Sequence, residues 1–276
     1  MNIQKPLKPL KSAPVTFVLC KIACGDLLNF DSEHLGSVQD AYRQEGYPHY
    51  GKVSSSEIEV VRQPSVLVRQ HERLIHHFIS NDFNDGVAVS GGDLFVYTNN
   101  YINFESYIKK VLNAHRIFSA TVNMQTIAGI GIRYIDFINP KQGKSLPDYL
   151  NPAILSPEYK GDLSSIEPLN SSMQHTYQTE LGSVLVLRSL AGRGLKIVPD
   201  DLVSMISPML VKAATESTLD NTSGISALID TDHFVQFKAL ENVKELNLRE
   251  LIDRLHEYTS NLFFENVTSA AIKEWS

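Results

Sequence analysis

Long apolar runs are missing from this sequence: no stretch approaches the ~18 consecutive apolar residues that a membrane helix requires. The nearest candidate, 15–20, follows Lys5, Lys8 and Lys11 but is broken by Lys21 and alternates like a strand, so it fails as the uninterrupted core of a secretory signal. Cysteine is scarce as well. Only Cys20 and Cys24 occur among 276 residues, which excludes a disulfide-stapled framework and fits a cytoplasmic protein. Four residues apart on an extended chain, the two thiols lie on one face beyond disulfide reach, and no second Cys or His pair stands near enough in sequence to complete a zinc site. They read as buried thiols, with no metal and no cofactor implied. Basic charge is not in excess either. Acidic residues outnumber basic ones, 31 to 25, for a net charge of −6, which disfavours a phosphate-tracking nucleic-acid binder.

The common catalytic strings are absent too: no G-x₄-G-K-[ST], H-E-x-x-H, G-x-S-x-G or Cys-x-x-Cys occurs. What is present is an ordinary globular composition. Hydrophobic residues make up 43% and charged residues 20%, enough to bury a core and too apolar for disorder.

Periodicity divides the chain. Residues 1–12, with two prolines and three lysines, read as a mobile leader. Residues 13–145 form a first half: strands at 15–23, 57–62, 66–79, 86–90 and 93–98, a short helix at 37–44, and a central strand at 127–138 with apolar residues on both faces. Phe104, Tyr107, Ile108, Val111, Leu112, His115 and Phe118 trace one stripe of an amphipathic helix over 103–119, capped by Asn103. A proline-containing stretch, 141–172, marks the boundary. Residues 146–276 form a second half, with strands at 176–180, 183–190, 195–198 and 225–237 and a helix candidate at 200–211. A long helix over 247–263 opens on an Asn247/Glu250 capping pair. The expected fold class is α+β: two antiparallel-sheet halves, each packed by one long amphipathic helix.

Four features carry candidate chemistry. Arg69, His71, Arg73 and His77 share one face of the 66–79 strand. His71 and His77 are roughly 20 Å apart along it, too far to share a metal, so the face reads as solvated or anion-contacting. Asp230 and Asp232 also share a face, ~7 Å apart; such a pair serves magnesium or acid–base chemistry, or lies on the wet side of a half-exposed sheet. Arg133, beside Tyr134 on the two-sided apolar strand, needs an acceptor. An ion pair with a helix carboxylate such as Glu105 is the favoured reading over ligand contact. Gly129-Ile130-Gly131 lacks the following helix of a dinucleotide fingerprint and reads as a close approach by the packed helix.

Three stretches carry a resemblance: Tyr101-Ile102-Asn103-Phe104-Glu105-Ser106-Tyr107, Gly129 to Ile138, and Leu228-Ile229-Asp230-Thr231-Asp232-His233-Phe234 with the helix bearing His256, Phe263, Val267 and Thr268. Together they resemble a sporadically distributed, uncharacterised prokaryotic family whose members carry a G-L-R-Y-I-N-x-I strand. Here that strand reads Gly131-Ile132-Arg133-Tyr134-Ile135-Asp136-Phe137-Ile138, with Asp136 in place of Asn. The resemblance implies mobile or defence-related gene neighbourhoods and assigns no catalytic residue. Missing catalytic strings and abundant sheet surface point to a non-enzymatic binding or assembly protein whose partner is another protein or a second copy, and the resemblance implies a role accessory to antiviral defence. The alternative is an enzyme or small-ligand sensor with an anion-binding site near Arg133, Tyr134, His71, His77, Asp230 and Asp232.

Overall fold

The computed structural model describes residues 9–62, 66–155, 169–203, 206 and 224–276, and of 55–62 and 66–72 the backbone only. Strand β1 (Val15–Ala23) leads through a π-helical turn into helix α1 (Leu35–Gln44). Next come β2 (His49–Arg62), β3 (Val66–Ile79), β4 (Asp85–Ser90) and β5 (Asp93–Thr98), then helix α2 (Phe104–Val122) and β6 (Thr126–Ile138). The later elements are β7 (Asn170–Gln178), β8 (Val184–Gly192), α3 (Asp200–Val203), β9 (Ser226–Asn242), α4 (Leu248–Asn266) and α5 (Ser269–Trp275). Among the described residues the nine strands form one antiparallel sheet in the order β2-β3-β4-β5-β1-β6-β9-β8-β7.

The α+β class and the antiparallel pairing follow from the strand periods and short turns. The arrangement in two sheet halves does not hold, because β6 pairs with β1 on one side and with β9 on the other. Its residues are buried on both faces, so a second set of strands is needed beside it, and β9, β8 and β7 supply them. Both long helices then pack on the same face. Val111 and Phe118 of α2, Ile252 and Leu255 of α4 and Val38 and Tyr42 of α1 share a core with Val18, Cys20 and Ile22 of β1 and Ile132 of β6. Burial pushes the Cys20 and Cys24 thiols up to about 12, so both stay protonated and inert. On the opposite face Phe17, Leu19, Phe95, Ile135, Phe137 and Leu228 are covered by Ile197, Val198, Leu202 and Ile206. A third cluster joins Ile138, Ala227 and Ile229 to Trp275 of α5, a helix that the sequence reading leaves out.

Local chemistry explains the helix starts. Asn103 accepts from Ser106 N at 2.9 Å and Asn247 from Glu250 N at 3.2 Å. Asn123, at φ 53, ends α2 in the left-handed region. Gly129 is explained differently from the helix approach expected of it. A Cβ there would lie 2.7 Å from Val235 O, because β9 crowds β6 at a register shift between Ile127 and Gly129. Residues 195–198 form no strand, since Gly194 at φ 65 turns the chain over the sheet instead of along β8. Of the helix expected at 200–211, Asp200–Val203 is observed and 204–205 and 207–211 lie outside the described residues. Of the 1–12 leader, 1–8 lie outside them as well, while Ser12 N donates to Trp275 O at 2.9 Å.

Val111 is 0% exposed where α2 meets the sheet. Val111→Asp would drive an unpaired charge into that core and should lower unfolding free energy by more than about 3 kcal/mol. Chemical denaturation checks it; an unchanged midpoint would mean the α2 stripe does not face the core.

Candidate functional site

Strand β6 sends its side chains alternately to the two covered faces, and each face holds a polar group that burial makes expensive. Arg133, 8% exposed, lies on the face away from the long helices. Its guanidinium donates from Nε to Asp230 Oδ1 at 2.8 Å and from Nη2 to Asp230 Oδ2 at 2.7 Å, a bidentate pair. It also donates from Nη1 to Asp201 Oδ2 at 2.6 Å and from Nη2 to Asp201 Oδ1 at 3.2 Å. Arg188 Nη1 of β8 reaches Asp230 Oδ2 at 3.0 Å. Asp232 is opposite Arg133 in the β6–β9 register, and burial raises its carboxyl while Arg133 opposes the shift.

The ion pair expected for Arg133 is present with different partners. Glu105 cannot reach it because α2 covers the other face; it accepts instead from Arg249 Nη2 at 2.6 Å. Asp230 does not lie on a wet face, whereas Asp232 is partly exposed. Asp230 is 2% exposed, since two arginines and the Asp200–Val203 turn close over it. A recess of about 280 Å³ borders Arg133 and Asp232, with Lys21 and Phe234 at its rim. His77 is far from this group, with β4, β5 and β1 between its strand and β6. It is buried rather than solvated: Nδ1 lies 2.9 Å from Tyr97 Oη, and burial, assisted by His76, lowers its ring to about 4. The His71 side chain lies outside the described residues. Arg73 donates to Ser90 O at 3.0 Å and Asp93 Oδ2 at 3.2 Å. Tyr134 points to the helix-covered face. The expected residues thus fall into separate places, and only Arg133, Asp230 and Asp232 come together.

The helix-covered face holds what sequence reasoning missed. Between β6, β9, the 101–104 approach to α2, and α4 lies a cavity of about 300 Å³. Tyr101, Phe104, Tyr134, Asp136, Thr231 and His256 line it. Tyr134 Oη sits 2.9 Å from His256 Nδ1, and the His256 ring stacks on Phe104 with centroids 3.8 Å apart and planes 7° from parallel. Tyr101 meets the Tyr134 ring edge-on at 5.7 Å. Burial holds the Tyr134 phenol well above its ordinary value.

Among the described residues four buried side-chain atoms lack a hydrogen-bond partner, His77 Nε2, Asn99 Oδ1, Asp136 Oδ1 and Thr231 Oγ1, and of these Asp136 and Thr231 line the cavity. They are 2% and 1% exposed, and neither Asp136 Oδ1 nor Thr231 Oγ1 has a hydrogen-bond partner among the described residues. Burial, reinforced by the nearby Asp230 charge, pushes Asp136 from 3.8 up to about 8. The carboxyl is therefore mostly a neutral acid at pH 7, able to donate one hydrogen bond and accept another. One signal for it stood in the sequence: an acid on the stripe formed by Ile130, Ile132, Tyr134 and Ile138. Among the described residues no three His, Cys, Asp or Glu side chains are grouped to hold a metal ion. No helix there is long and apolar enough to cross a membrane. No protein-family model and no curated protein matches the chain.

Two stability measurements separate the faces. Arg133→Ala strips Asp230 of its bidentate partner and should cost about 3–5 kcal/mol, nearer the lower figure because Arg188 remains. Asp201→Ala, removing a carboxylate that is 62% exposed, should cost less than about 1 kcal/mol. Equal effects in chemical denaturation would contradict this division. For Asp136 the folded state holds a proton that the unfolded state releases near 3.8, so its contribution to stability falls as pH rises to about 8 and is constant beyond. Asp136→Asn should therefore raise the melting temperature at pH 7, with a gain that shrinks towards zero as pH falls to about 4. A gain independent of pH would show that Asp136 is ionised in the fold.

Proposed function

We propose that this chain is a non-enzymatic binding protein that holds a small, largely apolar molecule in the cavity between β6, β9 and α4. The observation that carries the reading is that two buried polar atoms without partners among the described residues, Asp136 Oδ1 and Thr231 Oγ1, belong to residues that line the same cavity. Buried polar groups are almost always satisfied, and an orphan is explained most simply by a group that arrives from outside. The surroundings suit a ring: Tyr101, Tyr134, Phe104 and His256 give aromatic walls, with the Tyr134–His256 contact fixing two of them. A volume near 300 Å³ is at the small end of ligand sites.

The anion site considered for Arg133 has less support. Its guanidinium already donates to Asp230 and Asp201, and with Asp232 the three carboxylates outnumber Arg133 and Arg188. An enzyme remains a second reading of the cavity, favoured by an acid that titrates at about 8, the range in which a general acid–base works. It requires that a bound molecule be chemically changed, which mass analysis of the recovered ligand would reveal.

Thermal denaturation against a set of neutral aromatic and aliphatic fragments tests the binding reading. Ser260 lines the cavity from α4, so Ser260→Trp should fill it. Some ring-containing fragments should raise the melting temperature of the wild type in a concentration-dependent way and leave a folded Ser260→Trp variant unmoved. If no fragment stabilises the wild type, or the variant responds equally, the cavity is not a ligand site.

A further inference from the structure

Resting on the cavity reading above, the geometry points to a ligand of one chemical class: an uncharged planar ring compound with a hydrogen-bond donor beside an acceptor on one edge. A cyclic lactam or an aminopyrimidine has such an edge, which would sit against Asp136 and Thr231.

The argument starts from the register. Asp136 is opposite Ile229 and Tyr134 is opposite Thr231, so Asp136 and Thr231 are diagonal neighbours on the helix-covered face. Diagonal pairs across antiparallel strands lie roughly 7–8 Å apart, a span that one edge of a small ring can bridge. Both groups are fixed to the centre of a nine-stranded sheet, so they cannot turn away to find water. A ligand lacking polar atoms would leave both unsatisfied, at the full desolvation penalty of each.

Charge narrows the class further. A carboxylate would favour a cation, and a neutral carboxylic acid favours a partner that accepts from its hydroxyl and donates to its carbonyl. The acid shares the lining of the cavity with Tyr101, Tyr134, Phe104 and Ile102, and the Asp230 carboxylate is its charged neighbour. That setting keeps the proton on Asp136, and a protonated carboxyl matches the N–H and C=O of a lactam as the second half of a cyclic pair. Thr231 Oγ1 can donate or accept, so it takes whichever ring substituent lies beside the edge. The stacked Phe104–His256 pair and the Tyr134 ring suit the flat faces of the same molecule.

The test uses three bicyclic probes on the full chain: 2-quinolone with the donor–acceptor edge, quinoline with one acceptor, and 1-naphthylmethylamine with a cationic group. Calorimetry should give at least tenfold tighter binding of 2-quinolone than of quinoline. Asn presents the same donor and acceptor as a neutral acid, so Asp136→Asn should keep that preference, while Asp136→Leu should reduce it to within twofold. If quinoline and 2-quinolone bind equally and Ser260→Trp abolishes both, the edge inference falls and the cavity reading stands. If the amine binds tightest and loses its advantage in Asp136→Asn, the ligand is a cation and the inference is wrong. A 2-quinolone preference that survives in Asp136→Leu would remove Asp136 from recognition. If no probe binds the wild type, the cavity reading and the inference fall together.

Discussion

The burial of β6 on both faces constrains everything around it. A strand paired on both edges and covered above and below by apolar layers gives its polar side chains little access to water, so their burial has to be offset locally. Arg133 is answered by Asp230 at bidentate distance and by Asp201. Asp136, three residues on and facing the other way, lines a cavity with several aromatic rings and has one oxygen without a partner among the described residues. The same register that brings β9 alongside β6 places Asp230 beside both, binding Arg133 directly and raising Asp136 through its charge.

Much of this frame was legible in the residues. The two-sided apolar pattern of 127–138 identified the central strand, and the stripe from Phe104 to Phe118 with its Asn103 cap identified α2. Period and capping are local properties, so a single sequence carries them. Which strand lies beside β6 is decided by a contact between residues nearly a hundred positions apart, and no local pattern encodes that. One sheet was therefore read as two halves, and α2 and α4 were assigned to separate cores when they share one.

The same limit applied to the sites. Arg133 drew attention because a cation on an apolar strand is conspicuous, and its need for a carboxylate followed from charge alone. Its partner did not, because choosing between Glu105 and Asp230 requires knowing which face α2 covers. Asp136 escaped although it stands where the G-L-R-Y-I-N-x-I pattern that the strand resembles has Asn. An Asp near the end of a strand reads as an approach to solvent, and only the packing of α4 and α5 beyond it shows that the strand is still buried there.

The two faces of β6 differ in what their polar groups do for the fold. Arg133 and Asp230 form a closed set: the guanidinium donates to both oxygens of the carboxylate, and removal of either member costs the other its bidentate partner in the low-dielectric interior. Asp136 and Thr231 form an open set, with hydrogen-bonding capacity left unused among the described residues. A closed set stabilises the chain whether or not anything binds. An open set lowers stability until a complementary molecule completes it, and the free energy it withholds from folding becomes available for selectivity, since a molecule without the matching edge recovers none of it. On the reading proposed above, the neutral acid lining the cavity serves recognition at a cost in stability.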